Sequence, residues 1–362
     1  MIHFTFLLII PLFAWIIGND ITYTVSLVEN IFRIGIDDSL IISGFMPYIL
    51  GFVVACGLFT GVFIHELSHS LVARRAGIRI DSITLLFFGG VAALEDREQD
   101  PKVELKVAIA GPFMSLAIGM TCSGIVYLTG MISSNPAIAG LMSYLFGYLA
   151  ILNLLLFLFN LLPAFPMDGG RVFRAYLATR MPLHQATSIA STIGKGFAIL
   201  FGIIGLIIFS PLLILIAFFI YIGAGQENDA TRYNFLLKDV TVGGIMSTPV
   251  RTVSPSMALT EVISLMYQTK HLGFPVLDKG YLTGIITLTD MSRIPVIDRD
   301  AMQVKDAMSR EIISLTPNAP VMEALRIMTQ KEIGRIPIVH DGELKGIVTK
   351  SDIFTVMELR EI

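Results

Sequence analysis

Over the first 227 residues, polar and apolar positions follow no short period; apolar residues run on in long blocks. The segments 2–18, 44–68, 107–131, 139–162, 186–209 and 211–227 each approach the roughly 20 mostly apolar residues that an α-helix needs to cross a bilayer. They predict a polytopic α-helical membrane domain of about six transmembrane helices over 1–228. The opening stretch, MIHFTFLLIIPLFAWIIGND, lacks a basic n-region and a small-residue cleavage site, so it is read as a retained helix rather than a signal peptide. After a linker at 229–240 the pattern changes. LTEVISLM (259–266) and VMEALRIM (321–328) have the 3–4 apolar spacing of amphipathic helices, and each precedes two short β-branched runs around a glycine-containing turn.

Composition sharpens this division. Hydrophobic residues make up 54% of the chain and charged residues 15%, against about 25% charged in a typical soluble protein. A net charge of −3 gives no nucleic-acid signal. Cys56 and Cys122 both lie in apolar runs, which argues against a disulfide framework. Basic residues gather in two connecting regions: Arg74, Arg75, Arg79, Arg97, Lys102 and Lys106, then Arg171, Arg174, Arg180 and Lys195. Residues 19–43, read as a loop, carry only Arg33 with four acids. By the excess of lysine and arginine in cytoplasmic loops, six spans place both termini and the C-terminal part in the cytoplasm.

The C-terminal part is an internal repeat. MSTPVRTVSP…FPVLDKGYLTGIITLTD (246–290) matches MSREIISLTP…IPIVHDGELKGIVTKSD (308–352) at a constant offset of 62 residues. It resembles a tandem pair of CBS domains, here 241–294 and 303–358, together an α/β module. The resemblance implies an adenine nucleotide (ATP, ADP or AMP) as regulatory ligand, with Thr287, Asp290, Thr349 and Asp352 at the ribose, and a homodimer formed through the module. A helix N-terminus favours phosphate and an aspartate can accept from both ribose hydroxyls. The same Thr and Asp residues are also compatible with plain N-capping of the helix that follows each copy.

One polar constellation stands inside the apolar region. His65-Glu66-Leu67-Ser68-His69 is an HExxH motif at the end of the second apolar segment. On a helix, positions i and i+4 point both imidazoles at one ion, and the intervening glutamate reaches water beside it without ligating; the alternative is two histidines bonded to backbone or to facing helices, with Glu66 in an ion pair to Arg74 or Arg75. A third ligand is available in NLLLFLFNLLPAFPMDGGR (153–171), where Pro163 and Pro166 break the fourth span and Gly169 and Gly170 permit an unusual backbone path. Asp168 is the only acid between Glu104 and Glu227, and an isolated carboxylate at membrane depth is a functional candidate. Zn²⁺, Asp168, an ionised Glu66 and neutral His65 and His69 sum to about zero charge, which suits a low-dielectric site. Three protein ligands with one open position make a catalytic rather than a structural zinc site. Glu66 is then the base that takes a proton from the attacking water and returns it to the leaving amine.

These motifs, with the spans, NLLPAFPMDGG (160–170), FFGGVAALE (87–95) and IAGPFMSL (109–116), resemble the site-2 protease family in its CBS-containing subgroup. The resemblance implies an intramembrane zinc endopeptidase acting on transmembrane protein substrates within the lipid bilayer. Family members often have Asn where Ser115 stands and Leu where Met167 stands. Asn160 matches a family Asn that handles substrate or the transition state; its alternative role is to bond carbonyls freed by Pro163. Residues 78–94 read as a short membrane-associated β hairpin whose edge could pair with an unwound substrate; the alternative is a simple interfacial hairpin. Arg74 and Arg75 suit phospholipid, and His3, His184, His271 and His340 lack ligand-like spacing. A CBS-regulated transporter or channel is the competing reading, but it predicts ionisable residues along a pathway through several spans, whereas here they converge at one place. A scaffold without activity is the third, and an intact Glu66 argues against it.

Overall fold

The computed structural model describes residues 4–78, 80–86, 89–94 and 100–360. His3, Arg79, Phe87, Phe88, Glu95 and Arg97, invoked above, lie outside the described residues. The chain divides into two compact units, Met1–Thr231 and Arg232–Ile362.

The first unit holds α1 (Phe4–Asn19), α2 (Ile21–Phe32), α3 (Met46–Arg75), strands β1 (Ile80–Leu86) and β2 (Gly89–Leu94), α4 (Pro101–Ile132), α5 (Pro136–Asn160), α6 (Asp168–Ala178), α7 (Leu183–Ile207) and α8 (Pro211–Leu237). Among the described residues five helices are long and apolar enough to cross a membrane: α3, α4, α5, α7 and α8. The expected first span is the shorter α1, of 16 residues, about 24 Å at 1.5 Å per residue. It passes through Asp20 into α2 with i→i−4 bonds kept on both sides, Asp20 N to Ile16 O at 3.1 Å and Thr24 N to Asp20 O at 3.0 Å. The region expected to be a loop at 19–43 therefore contains a helix. Its buried face is Ile21, Thr24, Val25, Val28 and Phe32, at 3–4 spacing. Thr24 also hydrogen-bonds the fully buried Tyr144 of α5 at 3.0 Å.

Helix contacts in this unit rest on small residues, as they do where lipid removes the hydrophobic drive between helices. Gly57 and Gly61 of α3 lie against Leu149 and Asn153 of α5, Gly119 of α4 against Leu154, and Gly147 of α5 against Val28. β1 and β2 pair antiparallel from Ile80↔Leu94 to Leu86↔Gly89, a hairpin within the expected 78–94. α5 ends at Asn160, three residues before Pro163, and the chain turns before α6 starts at Asp168.

Gly169 and Gly170 do not take a glycine-only backbone path; they are buried in the first turn of α6. What they supply is closeness. A Cβ on Gly169 would collide with the Leu161 and Leu162 carbonyls, and one on Gly170 would meet the backbone of Ala164 and Phe165 at 2.6 Å.

In the second unit each repeat supplies a helix, a hairpin and a closing helix. The first has α9 (Val242–Ile245), α10 (Leu259–Thr269), β3 (Gly273–Asp278), β4 (Tyr281–Thr287) and α11 (Leu288–Ser292). The second has α12 (Val304–Ala307), α13 (Val321–Gln330), β5 (Arg335–His340), β6 (Glu343–Thr349) and α14 (Lys350–Leu359). Both hairpins close through two residues of positive φ, Lys279-Gly280 and Asp341-Gly342, the conformation of a type I′ turn. Residues 229–237, expected to be linker, are helical, and Leu236 and Leu237 are buried among Val321, Ile336 and Val348.

The two copies are interlocked. The segment leading the first copy (Val240, Val242, Ile245, Met246) packs into the core of the second, with Val321, Met328, Ile336 and Ile353. The segment leading the second (Met302, Val304, Ala307, Met308) packs into the core of the first, with Leu259, Val262, Phe274 and Ile286. Backbone bonds repeat the exchange at the same offset: Val242 N to Ala319 O and Val304 N to Met257 O, Ser247 N to Ile347 O and Ser309 N to Ile285 O, at 2.8–2.9 Å.

Candidate metal centre

His65 and His69 lie one turn apart on α3, and Asp168 opens α6. Asp168 Oδ2 is 3.1 Å from His65 Nε2 and 3.2 Å from His69 Nε2, and the two Nε2 atoms are 3.2 Å apart. Among the described residues this is the one group of three side chains able to share an ion. The exposures of the side chains are 5%, 9% and 13%. Glu66, the next residue on α3, is half-buried.

Hydrogen bonds behind the rings determine what the Nε2 atoms offer. His69 Nδ1 is 2.7 Å from the Val107 carbonyl of α4, which can only accept, so Nδ1 carries the proton. The neutral ring then presents a lone pair at Nε2. His65 Nδ1 is 2.8 Å from Ser115 Oγ, also on α4. With the ring neutral, lone pairs from His69 and from the Asp168 carboxylate converge at 3.2 Å, where a cation between them, or a second proton on the ring, satisfies both.

The separations fit zinc. Nitrogen and oxygen ligands bound tetrahedrally at about 2.0–2.1 Å lie about 3.3 Å apart, close to the observed triangle. α4 leaves the necessary space: a Cβ on Gly111 would sit against both Nε2 atoms. The second ring nitrogens are fixed by outer partners, the usual way in which a metal-binding histidine is oriented.

Several contributors escape the motif reading. Gly111, Val107 and Ser115 all come from α4, and the only cue was the glycine before Pro112 in IAGPFMSL. Ser115, to which the departure from the family's Asn gave no role, holds His65. Arg174, grouped above with loop cations, keeps its side chain only 11% exposed: its guanidinium bonds Glu104 of α4 (Nε to Oε1, 2.8 Å; Nη2 to the same oxygen) and Glu227 of α8 through Nη1. Asn160 is the last residue of α5 and is half-buried.

In the repeat module, Thr287 and Asp290 form a capping box on α11, and Thr349 and Asp352 form one on α14. In each, the aspartate's Oδ2 accepts from the threonine backbone and hydroxyl at 2.6–2.9 Å. The other oxygen faces a serine of the opposite copy: Ser309 for Asp290 at 3.3 Å and Ser247 for Asp352 at 3.4 Å. Arg335, beside Thr349 in the hairpin, donates across the repeat to the Gly273 carbonyl beside Thr287, at 2.7 Å. Burial lowers its pKa from the ordinary arginine value. Offset by 62, position 335 is the counterpart of 273, so the two half-sites differ by an arginine against a glycine.

Residues 53–134 and 120–203 match the model of peptidase family M50, and 242–297 and 304–359 match the CBS domain. A zinc metalloprotease of Methanocaldococcus jannaschii is 35% identical over 306 residues, covering 84% of this chain and 85% of that protein. The chain belongs to the site-2 protease family. It is a membrane metalloprotease carrying two CBS domains. Rip3 of Mycobacterium tuberculosis is 30% identical to this protease over 372 residues, 99% of the chain and 90% of Rip3. The solved site-2 protease of M. jannaschii is 36% identical, covering 57% of this protease and 88% of that structure, with a TM-score of 0.41.

Proposed function

We propose that this protease hydrolyses peptide bonds of transmembrane proteins within the bilayer, with His65, His69 and Asp168 holding one zinc ion and Glu66 moving the proton. The observation that carries the reading is the convergence of three ligand atoms at 3.1–3.2 Å, with little exposure, on a helix of membrane length. Zinc at these residues supplies Lewis acidity, which lowers the pKa of water and polarises a carbonyl. Glu66 takes a proton from the attacking water and delivers it to the leaving amine. The Val107 carbonyl and the Ser115 hydroxyl hold the two rings, so their lone pairs need no reorientation during turnover. Asn160, at the end of α5, orients the substrate carbonyl with its carboxamide. A transmembrane substrate must unwind to expose a peptide bond, and the β1–β2 hairpin offers an edge for the backbone groups so released.

Both termini and the CBS module lie in the cytoplasm, from the basic residues of the connecting regions. Adenine nucleotide binds the module at Thr287, Asp290, Thr349 and Asp352 and tunes cleavage; the module also pairs two copies of the chain. Such tuning requires the nucleotide to bind two states of the enzyme unequally.

Cleavage of a membrane-spanning reporter by the protein in liposomes tests the first part. Glu66→Gln should retain zinc and lose about 10²–10⁴-fold in rate, the usual worth of a general base. Asp168→Asn should lose zinc and activity together. Undiminished cleavage by Glu66→Gln would falsify the mechanism. For the second part, titration calorimetry with ATP, ADP and AMP should show binding that Asp290→Ala or Asp352→Ala weakens about tenfold or more, the worth of losing a charge-assisted hydrogen bond. Absence of heat with all three nucleotides removes that assignment.

A further inference from the structure

We infer that Arg174 is a positioning residue for the reaction: it sets α6, and with it Asp168, in register with the α4 stripe that holds the two histidines. The inference rests on the metal site proposed above.

The stripe is explicit in the sequence of α4. Glu104, Val107, Gly111 and Ser115 are all buried and spaced three to four residues apart, so they lie along one side of the helix. Val107 orients His69, Gly111 clears the space before both rings, and Ser115 orients His65. Glu104 begins the stripe and accepts from Arg174 Nε and Nη2. Arg174 is six residues beyond Asp168 on the 11-residue α6. A rigid helix this short passes the placement of its arginine directly to its first residue. The guanidinium also stacks on the Phe165 ring, 5.1 Å from its centroid, and Phe165 belongs to the loop that delivers the chain to Asp168. Its third attachment, through Nη1, is Glu227 of α8.

The choice of chemistry fits registration better than bulk stability. A buried ion pair typically contributes little net stability over well-packed apolar side chains, but the planar fork of an arginine has fixed directions. Here the fork is spent on two helices and an aromatic face at once, with the Arg174 and Glu104 side chains each 11% exposed. Apart from Asp168 itself, the close approaches of α6 are those of Gly169 and Gly170 to the backbone of residues 161–165, which resist separation but define sliding along an axis only weakly. The Arg174–Glu104 pair supplies the missing direction, along α4.

Full-length protein in detergent, with chelator competition for zinc affinity and liposome cleavage for kcat and KM, separates registration from mere stability. Arg174→Gln should weaken zinc about 10–100-fold, the usual cost of losing an outer-shell partner, and lower kcat with KM unchanged. Glu104→Gln, which leaves the Arg174–Glu227 pair in place, should act in the same direction to a smaller degree. Tyr144→Phe, which removes the bond to Thr24 away from the site, should lower the unfolding temperature while leaving zinc affinity unchanged. If Arg174→Gln fails to fold, Glu104→Gln decides. A folded Arg174→Gln or, failing that, Glu104→Gln with zinc affinity and kcat within twofold of wild type overturns the inference. Wild type that binds no zinc would instead refute the metal-site reading itself.

Discussion

Gly111 shows how far a single missing side chain can define a site. It presents no ligand and no charge, yet a methyl group at this position of α4 would press on Nε2 of both His65 and His69. Gly111→Ala should cost metal binding more than folding. The helix preference of alanine over glycine, about 1 kcal/mol, is opposed by the clash with the two imidazoles, an overpacking worth about 1–3 kcal/mol, so the zinc-free protein should be no more stable than wild type. Its zinc content should drop from one per chain to a small fraction, and cleavage with it. Metal analysis of the purified variant beside its melting curve reads both at once; stoichiometric zinc in Gly111→Ala would mean that the ion approaches the rings from another side. The motif HExxH was legible in the five letters themselves, because i and i+4 on a helix dictate convergence. Gly111, Val107 and Ser115 were not, because a carbonyl oxygen and an absent side chain leave no letter pattern.

At the scale of elements, legibility followed the range of the cause. Helices driven by long apolar runs were readable, since a bilayer-length run has few alternatives. α2 was not, although its stripe of Ile21, Val25, Val28 and Phe32 is regular: Asp20 and Glu29 mark it as polar against the blocks on either side, and its apolar face finds its destination far along the chain, among Leu50, Val126, Tyr144 and Ile151. The break after α5 was visible in Pro163 and Pro166, as was the acid beyond it. That Asp168 would open a helix was not anticipated. This placement suits an ionised carboxylate, because the positive end of the helix dipole lies at its first turn. The Gly169-Gly170 pair suggested backbone freedom and instead permits contact, a distinction that depends on which backbone passes nearby. Arg174 was least legible of all, since its carboxylates lie 70 and 53 residues away in sequence.

For the whole molecule, the exchange of leading segments in the C-terminal unit means that neither copy owns its core. Val242 belongs to the first copy by sequence and to the second by packing; Val304 does the reverse. Both are fully buried. Truncating either to alanine should cost about 2 kcal/mol, between the usual losses for Ile→Val and Leu→Ala in cores. The effect should surface in the opposite copy: Val242→Ala loosening β5 and β6, Val304→Ala loosening β3 and β4. Hydrogen exchange of the full-length protein in detergent, resolved by peptide, distinguishes this from two domains in tandem, where each substitution would loosen its own copy. The interlock also bears on the regulation proposed above. Ser247 and Ser309 each cross to the other copy's aspartate, and Arg335 crosses to Gly273, so a nucleotide engaging either half-site meets groups from both copies. Occupancy of one half-site should therefore protect both hairpins from exchange. Protection of a single hairpin by saturating AMP, ADP or ATP would show instead that the copies respond separately despite their shared cores.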